Sequence, residues 1–142
     1  QPPPTLTPPR TPPPPLRRLP RPHPAVSRMR YIVIGVGGVG GSIAARLALS
    51  GCDVVAVARG DHLAAIQEQG GLRLRTPAED VICACAAAGH VSEVEPAVNE
   101  ADVVIIATKT HQARVVLDEL AAAVGSAGDG LAEPPAVFCW CV

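Results

Sequence analysis

The apolar residues of this chain fall into short unbroken runs, separated by stretches in which they recur every three or four positions. Tyr31 to Ile34, Asp53 to Ala58 and Asp102 to Ala107 are built largely from valine, isoleucine and alanine, and each is followed by glycine or a polar residue. Continuous apolar segments of this length predict strands covered on both faces, as in a parallel sheet packed between helices. Ile43, Ala44, Leu47 and Ala48 recur at helical spacing, so Ser42 to Ser50 reads as a helix ended by Gly51. Asp61 to Gln69 reads as a second helix, capped by Asp61 and closed by Gly70 and Gly71. Leu72 to Arg75 and Val81 to Cys85 alternate in polarity, which predicts a short hairpin around Pro77 to Asp80. Glu93 to Glu100 is ambiguous, with Pro96 set against a long helix.

Farther on, Val116, Leu117, Leu120, Ala121 and Val124 form one helical face, with Arg114 and Asp118 spaced four apart as a surface ion pair. Gly125 to Pro135 reads as a loop, and Ala136 to Val142 as the start of one more strand. Strands alternating with helices predict an α/β fold, a doubly wound parallel sheet joined by right-handed crossovers.

Composition divides the chain. Twelve of the sixteen prolines lie between Pro2 and Pro24, and six of the twelve basic residues (Arg10, Arg17, Arg18, Arg21, Arg28, Arg30) lie within the first thirty residues, which hold no acid. Such a segment buries too little apolar surface to offset its ordering entropy, so residues 1–28 are expected to be a disordered Pro/Arg-rich tail with polyproline character. Its rival readings are an organelle transit peptide, which its single serine (Ser27) argues against, and a ligand for proline-reading modules. Met29 stands directly before the first strand, as an initiator would, so the tail is also readable as sequence upstream of the working protein. Residues 29–142 are one domain's worth of chain.

From Tyr31 onward six Lys/Arg face thirteen Asp/Glu. An acidic domain argues against a nucleic-acid partner, since phosphate contacts need a basic face. No run approaches the roughly 18 apolar residues of a membrane span. Cys52, Cys83, Cys85, Cys139 and Cys141 do not follow zinc-ligand spacing even with His62, His90 and His111 considered, so no metal is expected. They read as small hydrophobes in a reducing, cytoplasmic setting.

Candidate chemistry begins where the first strand ends. Gly35, Gly37 and Gly40 have the spacing G-x-G-x-x-G, and strand before plus helix after is the context in which that spacing binds a dinucleotide on a Rossmann-type sheet. Gly35 permits the tight turn, Gly37 lets backbone approach a pyrophosphate, and Gly40 lets helix pack on sheet. Val36 lies within the same turn, and the amides of Gly38 and Val39 are the expected phosphate donors at the positive end of the helix. A glycine-rich turn that merely connects strand to helix is the plainer alternative.

The end of the second strand distinguishes the cofactors. NAD enzymes place a carboxylate there for the adenosine ribose, whereas this chain places Arg59, nineteen residues past Gly40. A guanidinium clamps a 2′-phosphate, which favours NADP. A solvent-facing arginine is the alternative. Lys109, the only lysine, sits with Thr108 at the mouth of the third strand and is either a mobile counter-charge for a cofactor phosphate or simply solvated.

These residues together resemble the ketopantoate reductases (2-dehydropantoate 2-reductases), NADPH-dependent enzymes of pantothenate biosynthesis. The resemblance runs from Met29 to about Leu120 and rests on Gly35-Val-Gly-Gly-Val-Gly40, Ala58-Arg59, Leu63-Ala-Ala-Ile66, Gly71-Leu-Arg-Leu74 and Ala107-Thr-Lys109 with Gln112. It implies hydride transfer from NADPH to the ketone of a 2-keto acid such as ketopantoate, with Arg59 and Lys109 on the 2′-phosphate side. The family's Gln-Asn-Gly motif is not matched by Val137-Phe-Cys-Trp-Cys-Val142, and no part of the chain matches its helical second domain, which carries the proton-donating lysine and a substrate-binding glutamate. The resemblance therefore implies a cofactor half that binds NADPH without turnover, assigns no catalytic residue, and takes a 2-keto acid only when a C-terminal domain completes it. Two other readings stay open: a non-catalytic NAD(P)-sensing or assembly module on the same fold, and a truncated fragment. A sheet exposed where the helical domain would dock would be prone to association, which leaves a homo-oligomer open.

Overall fold

The computed structural model describes residues 17–19, 29–125 and 135–139. In chain order its elements are β1 (Arg17–Leu19), β2 (Arg30–Ile34), α1 (Gly38–Leu49), β3 (Asp53–Val57), α2 (Gly60–Gln69), β4 (Leu72–Arg75), β5 (Asp80–Cys83) and β6 (Ala86–Ala88). A short 3₁₀ turn (Val91–Glu93), β7 (Asp102–Ile106), α3 (Thr110–Gly125) and β8 (Ala136–Cys139) follow. The main sheet is parallel with order β6-β3-β2-β7-β8. The hairpin β4–β5 is antiparallel, pairing Leu72 with Cys83 and Arg75 with Asp80.

Register explains the two cores. Ile32 pairs with Val55 on one side and Val104 on the other, and Ile34 with Val57 and Ile106. All six face the core layer closed by Val91, Val94, Val116 and Leu120. The alternate residues Val33, Val54 and Ala56 face the layer closed by Ala44 and Ala45 of α1, Ile66 of α2 and Leu72 and Leu74 of the hairpin. Both faces are thus covered, which is why the strand sequences are continuously apolar. Burying each large aliphatic side chain is worth roughly 1.5–3 kcal/mol, and Ile32, Val33, Val104 and Ile106 are fully buried.

Several expectations need correction. α1 starts at Gly38, four residues before the periodic stretch, because Gly40 packs against the sheet and holds the glycines in the helix despite their poor propensity. The cap position of α2 is Arg59, and Asp61 lies in its first turn without capping it. Among α3's apolar residues Val116 and Leu120 are buried, but Leu117 is 43% exposed. Arg114 and Asp118 are not among the ion pairs of the described residues. Ala86–Ala88 forms a sheet strand that its sequence does not announce, because the edge of β3 supplies the pairing. Glu93 to Glu100 contains the end of the 3₁₀ turn and no α-helix.

Within the stretch expected to be a tail, Arg17–Leu19 pairs in parallel with Val81–Cys83. A sheet edge accepts any extended backbone through main-chain hydrogen bonds, whatever the composition. The rest of residues 1–28 lies outside the described residues, as do 126–134 within the expected loop and 140–142. Arg30, counted above with the basic leader, is instead buried at the start of β2. Its Nε and Nη2 donate to Asp102 Oδ1 and Oδ2 at 2.8 and 2.5 Å, and Nη1 and Nη2 donate to the carbonyls of Pro96 and Ala97 at 2.8 and 3.1 Å. These bonds to Asp102 hold the guanidinium pKa above its ordinary value. They tie β2 to β7 at the end of the sheet opposite the glycine turn.

Cys83 and Cys85 are buried in the α1-side core, with burial pushing the Cys83 thiol up, whereas Cys139 is exposed. Among the described residues no helix is long and apolar enough to cross a membrane.

Candidate functional site

From β2 the chain crosses through α1 to β3, and after the hairpin and β6 it returns to β7 on the other side of β2. The order reverses at β2, so a crevice opens at the carboxyl ends of β2 and β7, the place where sheets of this kind bind ligands.

Gly35 and Gly37 line that crevice, Gly38 and Gly40 follow in the first turn of α1, and the four differ in what they leave room for. Gly35 has φ +88°, and a Cβ there would lie 2.7 Å from Thr108 Cγ2 and 2.9 Å from the Ala107 carbonyl oxygen. Gly40 admits no side chain either, since its Cβ would lie 2.2 Å from the Gly35 carbonyl oxygen and 2.9 Å from Ala107 Cβ. Gly37 and Gly38 differ: a Cβ on either would meet nothing within 4 Å. The fold does not require glycine at these two exposed positions. They leave open backbone of the kind that lets an anionic group approach closely.

The start of α1 is equally receptive. Its first internal bond runs from the Gly41 amide to the Gly37 carbonyl at 2.7 Å, leaving the amides of Gly38, Val39 and Gly40 ahead of it. No side chain caps the helix at Gly37, and no acid lies in its first turn. Unopposed N–H groups at the positive helix end favour an anion.

Arg59 reaches the same crevice from the end of β3. The cleft has a volume of about 570 Å³, with Gly35, Gly37, Arg59, Thr108, Gln112 and Glu119 among its lining residues. Thr108 Oγ1 is buried without a hydrogen-bond partner. Arg59 Nη2 donates to both Oε1 and Oε2 of Glu119 at 2.9 Å. On the far side, His90 Nε2 lies 3.4 Å from Glu119 Oε2. Lys109 is exposed at the turn into α3 and does not line this cleft. Gly37 also borders a second recess of about 450 Å³ on its hairpin side, lined by residues of α1, α2 and β4 such as Gln69 and Arg75. That recess receives no strand end of the main sheet, so the larger cleft is the candidate site.

The structure therefore brings Gly35, Val36, Gly37 and Arg59 together around one cleft, with Gly38, Val39 and Gly40 in the adjoining first turn of α1. It adds Glu119, His62 and His111, which sequence reasoning did not single out as ligands. Glu119 lies sixty residues from Arg59, so no local spacing announces it. Among the described residues no group of three or more His, Cys, Asp or Glu is placed to hold a metal ion.

Comparison with known proteins identifies the family. The family model "Ketopantoate reductase PanE/ApbA" matches residues 31–128. The chain belongs to the ketopantoate reductase family. A 2-dehydropantoate 2-reductase of Mesorhizobium japonicum is 38% identical over 98 residues, covering 68% of this chain and 28% of its own length. The crystal structure of 2-dehydropantoate 2-reductase from Porphyromonas gingivalis W83 is similar at TM-score 0.58 and 33% identity, covering 69% of this chain and 35% of that one. A crystal structure described as a ketopantoate reductase from Ralstonia solanacearum MolK2 gives TM-score 0.61 and 32% identity, covering 79% of this chain and 31% of that one. This member of the family thus spans about a third of the length of the relatives it matches, and its Rossmann-type parallel sheet is the fold it shares with them.

Proposed function

We propose that this ketopantoate reductase domain binds NADPH across the β2–α1 corner, forming the cofactor half of a 2-keto acid reductase, and that alone it binds without turnover. The observation that carries the reading is Arg59 at the end of β3, sharing one cleft with the open glycine Gly37 at the start of α1. The amides of Gly38 and Val39 would hold the pyrophosphate through charge-assisted hydrogen bonds. Arg59 would hold the adenosine 2′-phosphate, and exposed Lys109 would add a mobile counter-charge at the rim. Thr108 Oγ1, buried and unpartnered, fits a polar ligand atom.

The nicotinamide, when bound, supplies the hydride; the chain's own task is to bind and orient it. The hydride acceptor in the complete protein is a 2-keto acid such as ketopantoate, consistent with the names of the relatives. The resemblance assigns the groups that polarise and protonate the ketone to the family's helical domain, which no part of this chain matches.

Fluorescence titration of the full 142-residue chain with NADPH and NADH tests this reading. NADPH binds more tightly, and Arg59→Ala weakens it by on the order of 1.5–3 kcal/mol, about ten- to hundredfold, for one lost charge-assisted contact, leaving NADH unchanged. Equal or tighter binding of NADH by the wild-type chain would overturn it.

A further inference from the structure

We propose that Glu119 is an internal competitor for the nucleotide's 2′-phosphate and thereby sets how strongly the cleft prefers NADPH to NADH. The inference rests on the NADPH reading above. A carboxylate and a phosphate offer a guanidinium the same chemistry, anionic oxygens at hydrogen-bond distance. Glu119 already makes that offer, with both oxygens 2.9 Å from Arg59 Nη2.

Three features mark it as a competitor that yields to the phosphate. The carboxylate is built into the wall: its side chain is 22% exposed, whereas that of Arg59 is 66% exposed, so the arginine is the partner that moves. Both contacts come from one guanidinium nitrogen, which is weaker than the parallel two-nitrogen fork, and a phosphate can therefore displace them. When Arg59 leaves, Glu119 keeps His90, whose Nε2 lies 3.4 Å away on the other side. Glu119 is also the sole acid among the described residues lining the cleft, so the contact is no generic feature of a charged surface.

The size of the effect follows from the pairing equilibrium. A partly exposed ion pair favours its closed form by about two- to fivefold. The apparent affinity for a ligand that needs the free arginine is reduced by the fraction that is free. Removing the carboxylate should therefore tighten a 2′-phosphate ligand about three- to sixfold. A ligand without that phosphate gains only from the loss of general repulsion, about twofold or less.

Adenosine 2′,5′-bisphosphate and adenosine 5′-monophosphate differ only in the 2′-phosphate, so their affinity ratio isolates the contact. Both are titrated by calorimetry against the full chain as wild type, Glu119→Gln, Glu119→Ala, Arg59→Ala and Arg59→Ala/Glu119→Gln, each checked for folding by its thermal melt. The expected result is a three- to sixfold rise in the ratio for either Glu119 variant and no rise in the double variant relative to Arg59→Ala. Equal tightening of both ligands, an unchanged ratio, or a gain that persists without Arg59 would overturn the proposal. If the wild type prefers the bisphosphate and Arg59→Ala abolishes that preference while the Glu119 variants leave the ratio unchanged, only this inference falls. If no variant distinguishes the two ligands, the NADPH reading has failed and this proposal falls with it.

Discussion

Gly37 and Gly40 stand three residues apart in the same turn, and the structure predicts opposite consequences for the same substitution. A Cβ on Gly40 would lie 2.2 Å from the Gly35 carbonyl oxygen, more than 1 Å inside ordinary contact, and Gly35 is held to the sheet by its amide's bond to the Val57 carbonyl. Relief requires α1 to move off β2 and β7. Overpacking of this kind costs about 1–3 kcal/mol, and a backbone oxygen as the obstacle places Gly40→Ala at the upper end. For a domain of this size, about 3 kcal/mol lowers the melting temperature by roughly 10–20 °C. A Cβ on Gly37 meets nothing within 4 Å, and the residue has φ −70° in an extended conformation. Gly37→Ala therefore changes stability by no more than about 1 kcal/mol.

What Gly37→Ala removes is room for the ligand. The methyl group projects into the cradle and lengthens the hydrogen bonds from the Gly38 and Val39 amides, each worth about 1.5–3 kcal/mol to a charged acceptor. NADPH binding should then weaken at least about tenfold. Thermal melts followed by circular dichroism and NADPH fluorescence titrations on both variants provide the readouts. The reasoning is refuted if Gly37→Ala melts as low as Gly40→Ala, which would make the whole turn a packing device. It is equally refuted if Gly37→Ala is stable and binds NADPH like the wild type.

Two further predictions concern the scaffold. Asp102→Ala strands the buried Arg30 guanidinium and should cost about 3–5 kcal/mol in urea unfolding, so a loss below about 1 kcal/mol would show that the Pro96 and Ala97 carbonyls suffice. On the hairpin, the Arg73 guanidinium donates to Asp80 at 2.8 and 2.7 Å and holds its carboxyl below the usual carboxylate range. A depressed carboxyl stabilises the fold above its unfolded pKa of about 3.9 and loses that contribution as pH falls through the lower folded value. The urea midpoint should therefore fall more steeply below about pH 4 in the wild type than in Asp80→Asn, and parallel profiles would contradict the pair's role.

Much of this architecture was legible where side chains announce burial. The apolar runs at Tyr31, Asp53 and Asp102 become the three central strands, within a residue at each end, because a strand covered on both faces must be apolar throughout. Arg59 was legible by its distance from the glycines, and the cleft gathers it with Gly35 and Gly37. What escaped reading depends on partners distant in sequence. The Ala86–Ala88 strand has no β-branched signature and exists because β3 has an open edge. α1 begins inside the glycine turn because tertiary packing overrides propensity there. The Arg30 and Arg59 ion pairs join residues 72 and 60 positions apart, so only folding reveals which acid each arginine meets.

The central claim is that nucleotide phosphates lie over the uncapped start of α1, with Arg59 at the adenosine end. Amide chemical-shift mapping of the ¹⁵N-labelled chain during addition of NADP⁺ tests it most directly. The account predicts the largest shifts at Gly37, Gly38 and Val39, with the Arg59 Nε signal moving along the same saturation curve. Unmoved glycine amides, or shifts centred on the recess between Gln69 and Arg75, would contradict it.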